Sequence, residues 1–552
     1  MGHTRYSSRC ISPYLLSTIR RLFTASICCV RPQLLTSLLI GLCLSILTGL
    51  FLRHYLQPNK QIHTPPGPKG TFFTGVKDQL SQTPWKVYAQ WAEHYQSPVI
   101  SFWVYNRRTV VLNDHKSVRD LLDKRASLYS DRPKSWMYHE LCGRGQSVFN
   151  ISSLDSRHGK YRKLIQHGLS GRSICDYHDL LENEANIFVE SITREPKAFQ
   201  HHIRRNVAAV IMKIAYGYSL TENNDPFIRV AEESAQISGW ALTPGRWIVD
   251  YYPIVRFLPS WFPFAHFKRQ GERWRKQLES LSDVPHNWVK KQMKHSNYEE
   301  CFTTRLLRPD EGAEAEDIVK WAAGGLYAGA SDTTVSALTS FILLMALFPD
   351  AQAEAQREIA EFCGAGRVPA IVDLPHLPYL SALYKEVLRY APVSNLALPH
   401  RVVQDDVYQS YHIPKDSTII ANTWAILHDP AIYPEPFEFR PSRFIDNAPM
   451  LDQHQPHYGD LEDTNHSGCS KRSDNSDIET DPDPRAYCFG YGRRSCPGMR
   501  LAEISVLLIM SRVLSQFQIS LPVGVEPTPQ VEFTSGITSH VKQFDITIKL
   551  RQ

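Results

Sequence analysis

The chain has 552 residues and a mass of 63.1 kDa, with 43% hydrophobic and 21% charged residues, so it can bury a sizeable core and wholesale disorder is excluded. Lys and Arg number 61 against 56 Asp and Glu, and the resulting +5 is too small for nucleic acid to be the general partner. The 11 cysteines include no CxxC pair, which argues against a secreted disulfide framework and for a reducing compartment.

The first acidic residue is Asp78, so everything before it is basic or neutral. Within that stretch Leu34 to Leu52 runs 19 residues without a charge. As a helix it would span about 28 Å, close to the hydrocarbon core of a bilayer. It is apolar on every face and bounded by Arg31-Pro32 and Arg53-His54, which predicts a transmembrane anchor rather than a core helix or a cleaved signal. Residues 1–33 then form a basic leader and 53–70 a Pro-rich linker ending in Thr64-Pro65-Pro66-Gly67-Pro68-Lys69-Gly70. Residues 71–552 form the body. The Arg- and Ser-rich leader also reads as a mitochondrial presequence. The uncharged span behind it favours single-pass insertion at the endoplasmic reticulum, with the body in the cytosol.

Helical periodicity dominates the body, over Ser117–Leu128, Tyr161–Leu169, Glu314–Leu347, Ala351–Cys363, Tyr379–Tyr390 and Met499–Leu514. Strand-like pieces are fewer: Val99–Trp103, Thr109–Leu112, Thr418–Ala421 and Phe544–Leu550. The aromatic and Pro-rich Tyr252–Phe267 is either a membrane-facing patch or a buried loop. The segment 446–484 carries ten acidic residues and few apolar ones, which predicts a solvated loop inserted into the body.

Several motifs carry chemistry. His158-Gly159-Lys160-Tyr161-Arg162 places a cation near a histidine on a helical stretch. Ser331, Asp332, Thr333 and Thr334 interrupt an otherwise apolar helix, where their side chains compete with the backbone for hydrogen bonds. Glu386 and Arg389 share a helix face at i,i+3. Further on come Pro399-His400-Arg401 and Phe439-Arg440-Pro441-Ser442-Arg443-Phe444. Last comes Phe489-Gly490-Tyr491-Gly492-Arg493-Arg494-Ser495-Cys496-Pro497-Gly498. Its glycines let backbone pass close to a flat ligand, Arg494 offers a partner for a ligand carboxylate, and the following helix turns its positive end toward Cys496. A Cys488/Cys496 zinc pair lacks the spacing that zinc requires.

Phe489, Gly492, Arg494, Cys496 and Gly498 fill the fixed positions of FxxGxRxCxG, and on these motifs residues 64–552 resemble the cytochrome P450 family. The resemblance implies a mainly α, triangular fold with a small β domain around a buried haem b. It implies Cys496 as the iron ligand, with Phe489, Gly490 and Arg494 against the cofactor. Asp332 and Thr333 would be the acid–alcohol pair that delivers protons during dioxygen activation, with Ala330 where a second glycine is usual. Arg162 and Arg401 would hold the haem propionates, with His158 in place of the family's tryptophan. Glu386, Arg389 and Arg443 would form the family's structural triad.

The reaction so implied inserts one oxygen atom into a hydrophobic small molecule. Electrons would come from NADPH through NADPH-cytochrome P450 reductase, with cytochrome b5 as a second donor, docking near Arg493 and Arg500. The PPGPKG linker, Tyr129–Pro133 (YSDRP) and the AGASDTT helix resemble fungal enzymes that tailor secondary metabolites. A haem-thiolate isomerase, dehydratase or binding protein working without a reductase is the alternative, and it has no need of Asp332 and Thr333. Substrate contacts are expected from Phe149–Leu154, Trp240–Tyr252, Trp321–Ala328 and Ser394–Leu398.

Overall fold

A computed structural model describes residues 63–220, 225–295, 298–308, 314–364, 366–445, 481–526 and 531–551, with the helical positions Gly41, Ser45, Thr48 and Gly49. The leader, the remainder of the 34–52 anchor, residues 53–62 of the linker and residues 446–480 of the acidic loop lie outside the described residues. The end of the linker belongs to the body rather than standing apart. Ser101 donates its N–H to Pro66 O (2.8 Å) and its hydroxyl to Pro65 O (2.7 Å), so the proline-fixed strand of chain lies along Val99–Val104.

The central element is the helix Glu316–Leu347. Glu316 and Asp317 in its first turn complement the helix dipole, and apolar residues occupy nearly every face beyond them. It is the one described helix long and apolar enough to cross a membrane, and its burial inside the body identifies it as a core helix. Phe199–Tyr216, Ser156–Gly168, His266–Gln292 and Met499–Gln516 pack around it. Their inward residues, including Tyr216, Tyr327, Phe341, Met345 and Met510, form the main core cluster. Each of these helices buries its apolar stripe against the central one, which leaves the polar faces to solvent.

The β content is small, as expected. Val99–Val104 pairs antiparallel with Arg107–Leu112, which runs parallel to Thr418–Ala421, and His400–Arg401 closes the sheet on the far side. Two further pairs join Asp406–Tyr408 to Tyr411–Ile413 and Phe517–Ser520 to Thr547–Leu550. The tail strand is shorter than its alternating pattern predicts, because Phe544 packs sideways onto Phe199 before pairing begins.

Sequence periodicity and structure differ at Ser117–Leu128. The helix there is broken into His115–Val118, a wide turn over Arg119–Lys124 and Ala126–Tyr129, with Arg125 out of helical geometry (ψ 29°). The helix His266–Gln292 carries Pro285 inside it, a residue that argues against helix when only sequence is in hand. The Tyr252–Phe267 segment is no buried loop. Ile254, Phe257, Trp261 and Phe264 are 69–79% exposed, and burial is confined to its end, at Ala265 and Phe267.

Candidate active site

The loop Phe489–Gly498 is held in one shape by its own backbone. Cys496 donates its N–H to Phe489 O at 2.7 Å, and Phe489 itself packs on the main core. Gly490 and Gly492 both have positive φ (76° and 51°). A Cβ on Gly492 would stand 2.4 Å from Leu122 O, so only glycine lets the loop pass that strand of backbone. Protein encloses Cys496 on nearly every side, yet its side chain is exposed, so it lines an interior chamber. Burial pushes its thiol up, and the Gly498 N–H on sulfur and the Arg162 guanidinium work against that burial in favour of thiolate. Cys488 is half-buried against the core, its Sγ 3.6 Å from Leu388 O, and desolvation pushes its thiol up.

A second wall of the chamber comes from the core helix. Ala322–Tyr327 and Val335–Phe341 are buried, but the turn between them is open, with Thr333 exposed in the middle of the protein. The Thr333 hydroxyl donates to Gly329 O, four residues back, at 2.8 Å within the continuous helix. The segment Val148–Ile151 joins the two walls. A Cβ on Gly329 would stand 3.2 Å from the Phe149 ring, while the Val148 and Ile151 carbonyls accept from Arg494 at 3.3 and 2.5 Å. Asp332, beside Thr333, points elsewhere: its Oδ1 lies 2.9 Å from His540 Nε2. Burial alone would raise this carboxyl, but His540, the Thr538 hydroxyl and Arg204 hold it below the usual carboxylate range.

Next to Cys496 lies a cluster of half-buried cations. Arg162 donates to Ser495 O at 2.6 Å, Arg494 to Ser130 O at 2.9 Å, and Arg132 to Leu398 O (2.8 Å) and Pro399 O (2.7 Å). Burial and mutual repulsion bring Arg132 down to about 9 and Arg494 to about 10, and burial also lowers Arg162. His158 and His400, buried beside these arginines, are held neutral, both pushed down to about 3. The carboxylate that reaches the cluster is Asp131, and it is already held by Ser152, Ser153 and Arg401. Positive charge is therefore left over inside the protein, which is costly unless an anion joins it.

Arg401 is paired with Asp131 (Nε to Oδ2, 2.9 Å) and Asp416 (2.5 Å) on the edge of the sheet. Arg132 and His400 also stand at the cluster, in segments where the sequence assigned neither residue a role, and alternation along the strand sends His400 and Arg401 to opposite faces.

Glu386, Arg389 and Arg443 are fully buried together. Glu386 takes both Arg389 donors (2.7 and 2.8 Å) and the Arg440 N–H (2.8 Å), with Arg443 Nε at 3.3 Å. Arg389 also donates to Leu427 O and Pro436 O, and Arg443 reaches Asp481 at 3.0 Å, on the far side of the acidic loop. The chain after the loop is fixed again at Asp481 N to Ile432 O (3.0 Å) and Tyr433 hydroxyl to Pro482 O (2.8 Å).

This arrangement agrees with comparisons to known proteins. A sequence profile of the cytochrome P450 family matches residues 65–548. The chain belongs to the cytochrome P450 family. Cytochrome P450 monooxygenase claR of Ampulloclitocybe clavipes is 32% identical over 92% of this chain and 90% of its own length. Cytochrome P450 monooxygenase 208 of Postia placenta is 34% identical over 88% and 90%. Tryptamine 4-monooxygenase of Psilocybe cyanescens is 32% identical over 87% and 91%. A zebra fish cytochrome P450 structure, determined with abiraterone, shares the fold with a TM-score of 0.63, at 22% identity over 85% of this chain and 100% of its own.

As a cytochrome P450, the protein is an oxidoreductase that carries haem on a cysteine thiolate, works with a redox partner and acts on a small molecule. The residues present fit that cofactor. The chamber offers an open sulfur, a flat approach at Gly490–Gly492, and uncompensated cations suited to two propionates.

Proposed function

We propose that Cys496 ligates the iron of haem b and that the protein inserts one atom of dioxygen into a hydrophobic small molecule, as an oxidative tailoring step in secondary metabolism. The observation that carries the site assignment is the open Cys496 sulfur beside a half-buried cation cluster with no counter-charge of its own. Haem, when bound, supplies dioxygen activation with electrons originating from NADPH. The chain's own residues do the rest. The Gly498 N–H and the helix N-terminus stabilise thiolate at Cys496. Arg132, Arg162 and Arg494, with His158 and His400, grip the propionate edge. Thr333 would present its hydroxyl proton at the edge of the chamber, with Asp332 behind it on His540 passing protons on, while Val148, Phe149 and Leu396 exclude water and favour a greasy ligand.

The Asp332–Thr333 pair also favours a monooxygenase over a reductase-independent isomerase or dehydratase, which needs no such relay. Support for the tailoring role is that the relatives are fungal monooxygenases, one named for hydroxylating tryptamine. Arg493 and Arg500 are exposed by the Cys496 loop and suit an acidic docking face on NADPH-cytochrome P450 reductase, with cytochrome b5 as a second donor. The 34–52 span would anchor the enzyme in the endoplasmic reticulum membrane. The patch of Ile254, Phe257, Trp261 and Phe264 would lie in the interface.

The test is a reduced carbon monoxide difference spectrum of the full chain. A strongly red-shifted Soret band is expected for the wild type and its loss for Cys496→Ala. A variant that kept the band would remove Cys496 from the iron.

A further inference from the structure

The C-terminal segment Val531–Lys542 folds back on itself and is fixed to the body. Phe533 and Val541 bridge, Thr534 donates its N–H to His540 O (2.7 Å), and Lys542 donates to Glu532 O (2.9 Å). Ser336 on the core helix donates its hydroxyl to Ser539 O (2.7 Å), Ser539 donates its N–H to Val393 O (2.8 Å), and Ser394 donates to Ile537 O (2.9 Å). These bonds set the His540 ring against the core helix, with Nε2 2.9 Å from Asp332 Oδ1. Both side chains are about one-third exposed, 31% and 33%.

We propose that His540 is the residue that supplies protons from solvent to Asp332. The step moves one proton: the Nε2–H bond of the imidazolium breaks as an Asp332 Oδ1–H bond forms, leaving a neutral ring that keeps Nδ1–H. Once Asp332 has passed its proton on, the ring is recharged by a proton from water at Nε2. It rests on the reading of Asp332 and Thr333 as the relay, and His540 acts through Asp332 as a positioning residue.

Two arguments support the assignment. Asp332 is held ionised by its neighbours, so it can hand on a proton only after receiving one. Of the groups that face it, imidazole alone takes up and releases protons near neutrality. Arg204, from the helix Phe199–Tyr216, is paired with Glu232 at 3.1 Å and keeps its charge, and the Thr538 hydroxyl does not titrate. Glu532 and Lys542, on the hairpin itself, are closed on one another at 2.6 Å. The packed segment Val393–Asn395 brings no titratable side chain.

The test needs no substrate. In the full-length enzyme with reductase and NADPH, dioxygen consumed without substrate leaves either as peroxide, one NADPH each, or as two waters, two NADPH each. Peroxide takes up two protons and the pair of waters four, so the second route depends more on timely delivery. His540→Gln keeps an amide donor toward Asp332 but cannot titrate. It is expected to raise the peroxide fraction by about threefold and flatten its pH profile. In the wild type the peroxide fraction should depend on pH, and that dependence is the profile against which the variant is read. Melting temperature and the carbonyl spectrum, which do not depend on turnover, should match the wild type. A shift in either would make the contact structural and overturn the proposal. Asp332→Asn is run beside it. If that variant makes more peroxide and His540→Gln keeps the wild-type fraction and pH profile, His540 is not the supplier although the relay stands. If neither variant changes the fraction, the relay reading falls and the proposal with it.

Discussion

Thr333 is the exposed residue in the middle of the core helix, its hydroxyl tied to Gly329 O, and the proposed relay would end there. Replacing it with Ala removes one hydroxyl from an accessible position and leaves the helix backbone as it is. The stability cost should be small, on the order of 1 kcal/mol, and haem content should be unchanged. NADPH consumption should continue while more of the reducing equivalents emerge as hydrogen peroxide, measured with NADPH and product in the reconstituted system. Unchanged partition would move the relay to Thr334 or to a water. At this scale the sequence was informative where chemistry needs neighbours in the chain. The Cys496 loop and the Asp332–Thr333 pair are legible because their spacing is their function. The cation cluster was only half legible: Arg162 and Arg494 could be named, but which of His400 and Arg401 faces inward depends on strand orientation. His540 carried no local signal, since its partner is far away in the chain and only the folded hairpin joins them.

The helix Pro378–Tyr390 shows how one element fastens others. Glu386 holds Arg389 on its own helix and brings Arg440 and Arg443 in from the segment before the acidic loop, with the Glu386, Arg389 and Arg443 side chains fully buried. Buried ion pairs contribute little over an apolar replacement, but removing one partner strands the other charges. Glu386→Gln leaves Arg389 and Arg443 uncompensated and should cost about 3–5 kcal/mol, seen as a lower melting temperature and poor haem retention. A melting temperature within a degree of the wild type would mean that the network is dispensable. Among the elements, the apolar helices were legible from periodicity almost to their ends: Ala351–Cys363 is observed as Pro349–Cys363 and Tyr379–Tyr390 as Pro378–Tyr390. The wide turn at Arg119–Lys124 was not, because its residues have ordinary helical character and tertiary packing selects the break.

For the molecule as a whole, the exposed aromatic segment matters more than net charge. Phe72 and Phe73 (both 72% exposed) lie near it, because Lys77 sits over the Tyr105 ring (5.5 Å) and Tyr105 packs at 6.1 Å on Tyr252. Such an apolar surface on a soluble body is unusual and suits a membrane interface. Deleting residues 1–53 should therefore release the protein only in part from vesicles or microsomes, with the carbonyl spectrum intact. Adding Trp261→Ser and Phe264→Ser should complete the release, and full release by the truncation alone would assign no membrane role to the patch. The fold itself became legible through the family resemblance. Composition and periodicity on their own gave a mostly helical body without its topology, since the order of helices about the core is set by contacts distant in sequence.

The clamp between Arg443 and Asp481 gives the acidic insertion a particular status. Both of its ends are anchored before it begins: Arg443 to Glu386 and Asp481, Asp481 to Ile432, Tyr433 to Pro482, and Asp483 to Arg485 at 2.6 Å. Length between residues 445 and 481 is thus decoupled from the stability of the catalytic body, in the way a splice site is indifferent to what lies between its ends. Replacing residues 446–480 with about eight Gly and Ser residues, which reach up to ~26 Å, should leave melting temperature and carbonyl spectrum within a few degrees and a few per cent of the parent. A collapse of the haem spectrum would show the insertion to be part of the scaffold. If the exchange is tolerated, this is a position where a reporter, a tether to a reductase or a purification handle can be carried without touching the chamber.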